Sequence, residues 1–340
     1  MKSVLAQSKL CRPDLLILGA GPAGCAAAIL ALQAGMNVVL LEARTAVRPT
    51  PGETLHPGLE PIFKRLGVWE SILNHRFHRH RGIWREGEDG IRVFDVYGSD
   101  QHGPWLGFQV NRADLAKILQ TRVADLGGNI IHVSTLDNRL DKNSVVSGVT
   151  ADGSALYARF VLDATGRHSW LAQKLGLTPE RHPSTQRLRF GWRLADLPEL
   201  HAQPLFRQRR DGWDWLSPLG DGRCAWVKLR RSSTKGGIDY TWRIFRECAG
   251  PGYFLLGDAA CLMDPSAANG VLRALMSGMY AVHLLTAIAQ GKVTPEEAAN
   301  EYKRWIANIF DTTAAGLEQD TQPTTGFALG NGLQPRLNNL

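Results

Sequence analysis

The residues of this chain best suited to chemistry lie in two runs far apart. The first is Gly19-Ala20-Gly21-Pro22-Ala23-Gly24, which directly follows the apolar DLLIL and opens an Ala/Leu-rich stretch. A second apolar run, NVVLL, then ends on Glu42. A strand, a glycine turn, a helix and a second strand form a βαβ unit with both strands buried. Its first glycine permits the tight turn, its second lets the backbone approach a pyrophosphate, and its third lets helix pack on strand. The pyrophosphate lies on the helix N-terminus. Glu42 accepts hydrogen bonds from ribose hydroxyls, which favours an adenosine with a free 2′-OH. The second run is GDAACLMDPSAANGVLRALMSG, residues 257–278, after the apolar PGYFLL. It brings a buried strand, the Asp258 carboxylate, a turn at Asp264-Pro265 and a helix start into close succession.

The elements between these runs must hold them together. Residues 52–75 read as a turn leading to a helix that ends near Gly67, then a short second helix. Residues 82–110 read as strands with loops, and 110–128 as an amphipathic helix opened by Asn111-Arg112. Short strands and a hairpin at Asp152-Gly153 follow, then a buried strand Phe160 to Asp163 that ends in Ala164-Thr165-Gly166. The Trp- and Arg-rich segment 187–231 alternates as an antiparallel sheet. Helices are expected over about 270–290 and 295–317, before a Gly/Asn/Gln-rich tail that reads as loose. No internal repeat is present. Segments 1–75, 110–185 and 250–290 therefore read as one discontinuous dinucleotide-binding domain. Segments 76–109 and 186–249 read as an antiparallel-sheet substrate domain, 291–319 as a C-terminal helix, and 320–340 as the tail.

Composition narrows the function classes. The 340 residues are 44% hydrophobic and 21% charged, ordinary for a soluble globular protein with a real core. A net charge of +7 suits acidic partners. The basic HRFHRHRGIWR at 75–85 is too short to suggest a nucleic-acid surface, and it reads as an exposed strand or loop. The alternation of His75, His78 and His80 with arginines argues against a metal site there. Five cysteines share no metal or disulfide spacing, which fits a reducing, cytoplasmic setting with Cys25 and Cys261 as buried thiols. The apolar run from Leu15 to Leu41 is broken by glycines and Pro22, so it is read as βαβ and not as a membrane-inserted helix.

Four separated pieces, GAGPAG with Glu42, the helix start at Arg112, LDATGRHS at 162–169 and YFLLGDAACLMDP at 253–265, together resemble the FAD-dependent monooxygenase and halogenase superfamily related to p-hydroxybenzoate hydroxylase. The resemblance covers roughly residues 12 to 315. It implies an α/β fold with a Rossmann-like FAD-binding domain interleaved with an antiparallel-sheet substrate domain. It also implies that Asp258, after Gly257, holds the FAD ribitol. Pro265, Ala268, Asn269, Gly270 and Val271 then lie against the flavin pyrimidine ring. Arg112 contacts the cofactor from the side, and the turn Asp163, Ala164, Thr165, Gly166 supports the FAD-binding face. Ala43, Arg44 and Gly52 complete the cofactor set. Reduced flavin carries negative charge near N1 and C2=O, which a helix start free of side-chain bulk stabilises.

Two details bear on the branch. GETLHP at 52–57 resembles a halogenase-like segment near the isoalloxazine, which makes Glu53 and His56 candidate proton acceptors beside Pro265; turn and capping roles are the alternative. GVLRALMSGMYA at 270–281 resembles flavoproteins that mature tryptophylquinone cofactors, in which a tryptophan of a partner precursor protein is hydroxylated. The implied reaction uses NAD(P)H, directly or through a flavin reductase, and O₂, by way of a flavin C4a-hydroperoxide. Tryptophan halogenases carry Trp-x-Trp-x-Ile-Pro, whereas Trp213-Asp-Trp215-Leu-Ser217-Pro218 has serine in place of isoleucine. They also need a lysine in the segment matching 75–85, which has none; arginine is poorly suited to proton transfer. Trp213 and Trp215 are read equally as sheet core or as lining of the substrate space. The chain is short for the superfamily, which implies a more open pocket suited to a protein substrate. A small-molecule hydroxylase or halogenase and a geranylgeranyl-reductase-like enzyme are the competing readings.

Overall fold

Leu15–Leu18 is apolar at every position because both faces of its strand are covered, and all four side chains are buried. In the computed structural model, which describes residues 13–43, 52–134, 136–140, 146–194, 200–220, 222–231, 236–267 and 269–319, this strand lies inside a six-stranded sheet. The order is Asn129–His132, Val38–Glu42, Leu15–Leu18, Phe160–Asp163, Tyr253–Leu255, Ala249–Gly250. The first five strands are parallel and the last is antiparallel. Parallel sheets bind ligands beyond the carboxyl ends of their strands where the strand order reverses. Those ends here carry Gly19, Glu42, Ala164 and Gly257.

Seven α-helices are described: α1 Pro22–Gln33, α2 Glu60–Leu66, α3 Trp69–Asn74, α4 Arg112–Asp125, α5 Trp170–Lys174, α6 Gly270–Ala289 and α7 Pro295–Gln319. Helix α2 ends on Gly67 in the left-handed region, and α4 starts where the Asn111 side chain accepts from Ala113 N at 3.0 Å. Helix α6 is long and apolar enough to cross a membrane by composition, yet it is largely buried against α1 and α7 as a core helix.

A seven-stranded sheet forms the second layer: Ile238–Asp239, Gln186–Leu194, Arg223–Arg231, Gly212–Pro218, Leu205–Arg209, Gly82–Glu86, Arg92–Val96. Its pairs are antiparallel except Leu205–Arg209 with Gly82–Glu86. It carries a separate small core of Ile83, Leu188, Trp213, Trp215 and Leu229.

Three expectations need correction. Gly52–Leu55 is a strand and not a turn, pairing with Gly107–Asn111, which also pairs with His78–His80. This small sheet bridges the two layers, so boundaries at residues 75 and 109 cut through it. Arg243–Ile244 pairs with Glu180–Arg181 and Cys261–Leu262, on the dinucleotide side of the molecule. Finally, His80 is buried and not exposed, because pairing with Gly107 turns its ring inward. The expected tail at 320–340 lies outside the described residues.

Candidate active site

The glycine turn is dictated by close packing at two of its three glycines. Gly19 has φ +102°, and a Cβ there would stand 2.5 Å from the Ala164 carbonyl oxygen. At Gly24 a Cβ would stand 1.9 Å from the Gly19 carbonyl oxygen. Gly21 differs, since a Cβ there would meet no protein atom within 4 Å. It is the N-cap of α1, with Pro22 behind it and no side chain capping the first turn. The amide donors of that turn therefore face open space, the arrangement a pyrophosphate fills. Ala23 is buried beneath. Glu42 Oε2 accepts from Ala20 N at 2.8 Å, which ties the second strand end to the loop. Gln120 on α4, which no sequence motif singles out, donates to Ala20 O at 3.0 Å. The Cys25 thiol points at the same carbonyl, at 3.3 Å, and burial pushes its pKa up to about 12. Cys25, Cys224, Cys248 and Cys261 are all free and buried.

Asp163 is fully buried under this turn. It accepts from Thr165 N at 2.8 Å, Thr165 Oγ1 at 2.6 Å and Leu171 N at 2.7 Å. Burial raises its pKa and the hydrogen bonds oppose that rise. The residue fixes the turn through Ala164 to Gly166 and so holds the wall against which Gly19 and Gly24 pack.

The late run closes the same space. Gly257 N donates to Ser277 Oγ at 2.8 Å, and a Cβ on Gly257 would stand 3.3 Å from the Ala274 Cα of α6. Asp258 follows in a short 3₁₀ turn. Asp264 Oδ1 accepts from Ser266 N at 2.9 Å and from Trp213 Nε1 at 3.0 Å, locking the Pro265 turn to the second sheet. Helix α6 begins after Asn269 with no side-chain cap, and a Cβ on Gly270 would meet nothing within 4 Å. Val271 is buried. Ala43 is exposed at the end of its strand. Arg44 and Ala268, both expected in the cofactor set, lie outside the described residues.

Glu53 and Arg112 form an ion pair at 3.2 Å, with 24% and 38% of their side-chain surfaces open. Burial raises the Glu53 pKa; Arg112 opposes the rise and Asp258 adds to it. Tyr240, another residue the sequence reading missed, feels Asp258, Arg112 and Glu53 together, and its phenol is held well above the usual range, chiefly by burial. His56 follows the capping alternative. Its Nδ1 accepts from Gly58 N at 3.0 Å, its ring stands edge-on to Tyr97 at 5.0 Å, and burial lowers its pKa to about 4. Gly52 is packed within the sheet: a Cβ there would stand 2.6 Å from Ala225 Cβ and 3.3 Å from the Trp192 ring.

Both tryptophans of the WDW run are buried with their indole N–H groups spent inside the protein. Trp215 Nε1 donates to Thr54 Oγ1 at 2.8 Å and Ser217 Oγ at 2.9 Å, and Thr54 bonds Gln109 Oε1 at 2.9 Å. Thr54 is next to Glu53, so this network sets the strand that presents the carboxylate. The three histidines of 75–85 have separate neighbours: His75 with Asp114, His78 Nε2 with Ala202 O, and His80 Nδ1 with Gly82 O.

The glycine cradle, the carboxylate at a parallel strand end, the late Gly-Asp turn and the uncapped helix start define a dinucleotide-cofactor site of the p-hydroxybenzoate hydroxylase type. The FAD binding domain family model matches residues 12–203, and the chain belongs to that family, within the flavin-dependent monooxygenase and halogenase superfamily. It is a flavin-dependent enzyme. It is 26% identical to a tryptophan 2-halogenase of Chondromyces crocatus over 87% of this chain and 65% of that protein, so it spans a little under two thirds of that relative. It is also 26% identical to a menaquinone reductase of Mycobacterium tuberculosis, over 86% of this chain and 81% of the relative. Among solved structures, a flavin-dependent brominase superposes with TM-score 0.79 at 18% identity, covering 90% of this chain and 88% of the other. The myxobacterial chondrochloren halogenase gives TM-score 0.77 at 21% identity, covering 91% and 81%.

Proposed function

We propose that the protein is an FAD-dependent monooxygenase that hydroxylates a tryptophan side chain of a partner precursor protein, a step toward a tryptophylquinone cofactor. FAD fits the residues present, since the space beyond Gly21 and Gly270 is free of protein and is bordered by uncapped helix starts. Bound FAD supplies the oxygen-transfer chemistry, with NAD(P)H or a flavin reductase as electron source and O₂ as oxidant. The chain's own work is to hold the ring, to exclude water and to manage one proton. Glu53 is suited to that proton, because its raised pKa brings it nearer to neutral pH and Arg112 keeps it in place.

The observation that carries hydroxylation over halogenation is that the basic run 75–85 holds arginines and no lysine. The indole substrate and its protein carrier rest on the resemblance of GVLRALMSGMYA. Mass spectrometry of a candidate precursor co-expressed with and without this protein tests the reading. One or two added oxygen atoms on a tryptophan support it, and an unmodified tryptophan beside active flavoprotein refutes it.

A second reading follows from the relatives. The similarity to a tryptophan 2-halogenase makes free tryptophan with chloride or bromide the appropriate control, and the similarity to a menaquinone reductase makes quinone reduction without O₂ uptake the other.

A further inference from the structure

One row of residues crosses the seven-stranded sheet on the face opposite its small core of Leu188, Trp213, Trp215 and Leu229. In register order it reads Arg92, Glu86, Arg207, Asp214, Lys228, Arg189. The signs alternate as far as Lys228, and opposite charges facing each other across strands are favourable. Arg92 and Arg207 both pair with Glu86, and Arg209 and Arg230 both pair with Asp214. The alternation then fails. Lys228 stands directly opposite Arg189, and in the next register Arg230 stands directly opposite Arg187. Like charges in directly opposed positions destabilise a sheet, so this corner of the face is not built for stability.

The same corner holds an aromatic platform. Trp226 lies across Gly191, where a Cβ would stand 2.6 Å from its ring, and Lys228 Nζ is 5.6 Å from the ring centroid. Arg189 and Arg193 flank Gly191 on its own strand, and Arg189, Arg193 and Lys228 are all exposed. Among the described residues none of the three forms an ion pair. A half-buried tryptophan beside exposed arginines is the composition that dominates binding energy at protein interfaces. The limits of the patch say what fits it. Asp214 bounds it on one strand and Asp239 on another, opposite Arg187, so it is about 14 Å wide. A nucleic acid needs a longer track of cations. A short protein segment with two or three carboxylates matches this one, and arginine forks pair carboxylates bidentately. The basic run 75–85 offers no such surface, because His80 is buried, Arg79 bonds Leu106 O and Gly107 O, and Arg85 pairs with Asp95.

We propose that the sheet face around Trp226 docks an acidic segment of the partner precursor protein, held by Arg189, Arg193 and Lys228. The inference rests on the proposed function for the identity of that partner. The opposite face of the same sheet carries Trp213 and Trp215, tied to Asp264 and Thr54. Docking therefore holds the precursor on the layer that walls the site and raises the local concentration of its tryptophan.

Fluorescence anisotropy of a labelled poly-glutamate peptide, and of an oligothymidylate of equal charge, tests this on the FAD-loaded protein. Three variants are compared with the unaltered chain: Arg189→Glu with Lys228→Glu, Arg189→Thr alone, and Arg65→Glu with Lys292→Glu. The last makes the same change in net charge at exposed positions of the dinucleotide layer. Peptide affinity falls at least tenfold in the first and less than twofold in the last. Arg189→Thr also loses affinity, yet it melts at no lower temperature, because an opposed like-charge pair has been removed. Equal losses in the two double variants overturn the proposal, since net charge alone then explains binding. Full peptide affinity in a folded Arg189→Glu/Lys228→Glu overturns it, as does a lower melting temperature in Arg189→Thr with affinity intact. Oligothymidylate bound more tightly than the peptide, and lost in the same variant, assigns the patch to nucleic acid and overturns it too. A precursor tryptophan left unmodified by the unaltered protein refutes the hydroxylation reading and leaves these binding results standing, so the two ideas fail separately.

Discussion

Glu53 and Arg112 meet at 3.2 Å diagonally across the pairing of Gly52–Leu55 with Gly107–Asn111, where Glu53 lies opposite Val110 and Gly52 opposite Asn111. The pair exists because Asn111 ends a strand and caps a helix at the same point, which aims the first helical side chain back over the strand. The guanidinium also feels Asp258, so one cation serves two carboxylates.

Removing that cation has a predictable sign. In Arg112→Met, Glu53 and Asp258 face each other without it, and the Glu53 proton is held to higher pH. The acid limb of turnover moves to higher pH, while Glu53→Gln removes the limb and lowers kcat by about 10²-fold. Profiles of kcat against pH for the three proteins decide the matter. A limb that stays put in Arg112→Met takes Glu53 out of proton transfer.

The glycine turn separates folding from binding. A Cβ at Gly24 runs into the Gly19 carbonyl, so Gly24→Ala forces the turn apart and costs about 3 kcal/mol. Gly21→Ala meets only the open space beyond the helix start. Its apoprotein should unfold within about 0.5 kcal/mol of the unaltered chain, while FAD affinity falls at least tenfold, to be measured by fluorescence titration. Equal FAD affinity in Gly21→Ala would place the pyrophosphate elsewhere.

Asp163 supports the site without touching its open space. Asp163→Ala leaves three donors, Thr165 N, Thr165 Oγ1 and Leu171 N, without their acceptor. At about 1–3 kcal/mol per orphaned buried group, the loss is about 3 kcal/mol or more. Urea unfolding measures it, and a change below about 1 kcal/mol would mean that water replaces the carboxylate.

What the sequence disclosed was what covalent neighbourhood determines. GAGPAG with Glu42 and the late Gly257-Asp258 run each carry their meaning within one strand, turn and helix. The strand Gly52–Leu55 was not legible, because its identity depends on a partner at Gly107–Asn111 and on Ala225 pressing against Gly52. Trp213 and Trp215 left core and pocket lining equally open until Asp264 and Thr54 were seen to take their N–H groups. Tyr240 and Gln120 reach the site only through long-range packing.

His80 shows the same limit and gives the last prediction. The alternation of histidine and arginine suggested an exposed run, yet the ring is 1% exposed, stands against Tyr97 at 5.4 Å and faces Gly82 O through Nδ1. Burial lowers its pKa from 6.5 to about 4; His78 and His56 push the same way, and the bonds to Gly82 and Phe108 oppose. The native state therefore keeps the ring neutral while the unfolded chain takes up a proton as pH drops below 6.5. Stability is complete above that pH, declines between 6.5 and about 4, and has lost the whole contribution below, up to about 3 kcal/mol at 1.36 kcal/mol per unit. His56 titrates over the same window in the same direction. His80→Gln removes one of the two protons from the linkage, so the fall in unfolding free energy per pH unit between 6 and 4.5 should drop by about 1.4 kcal/mol. Urea melts at pH 7, 5.5 and 4.5 read this directly. An unchanged slope in a folded His80→Gln would mean that the ring takes up its proton equally well in the native state, and that its burial has no electrostatic consequence.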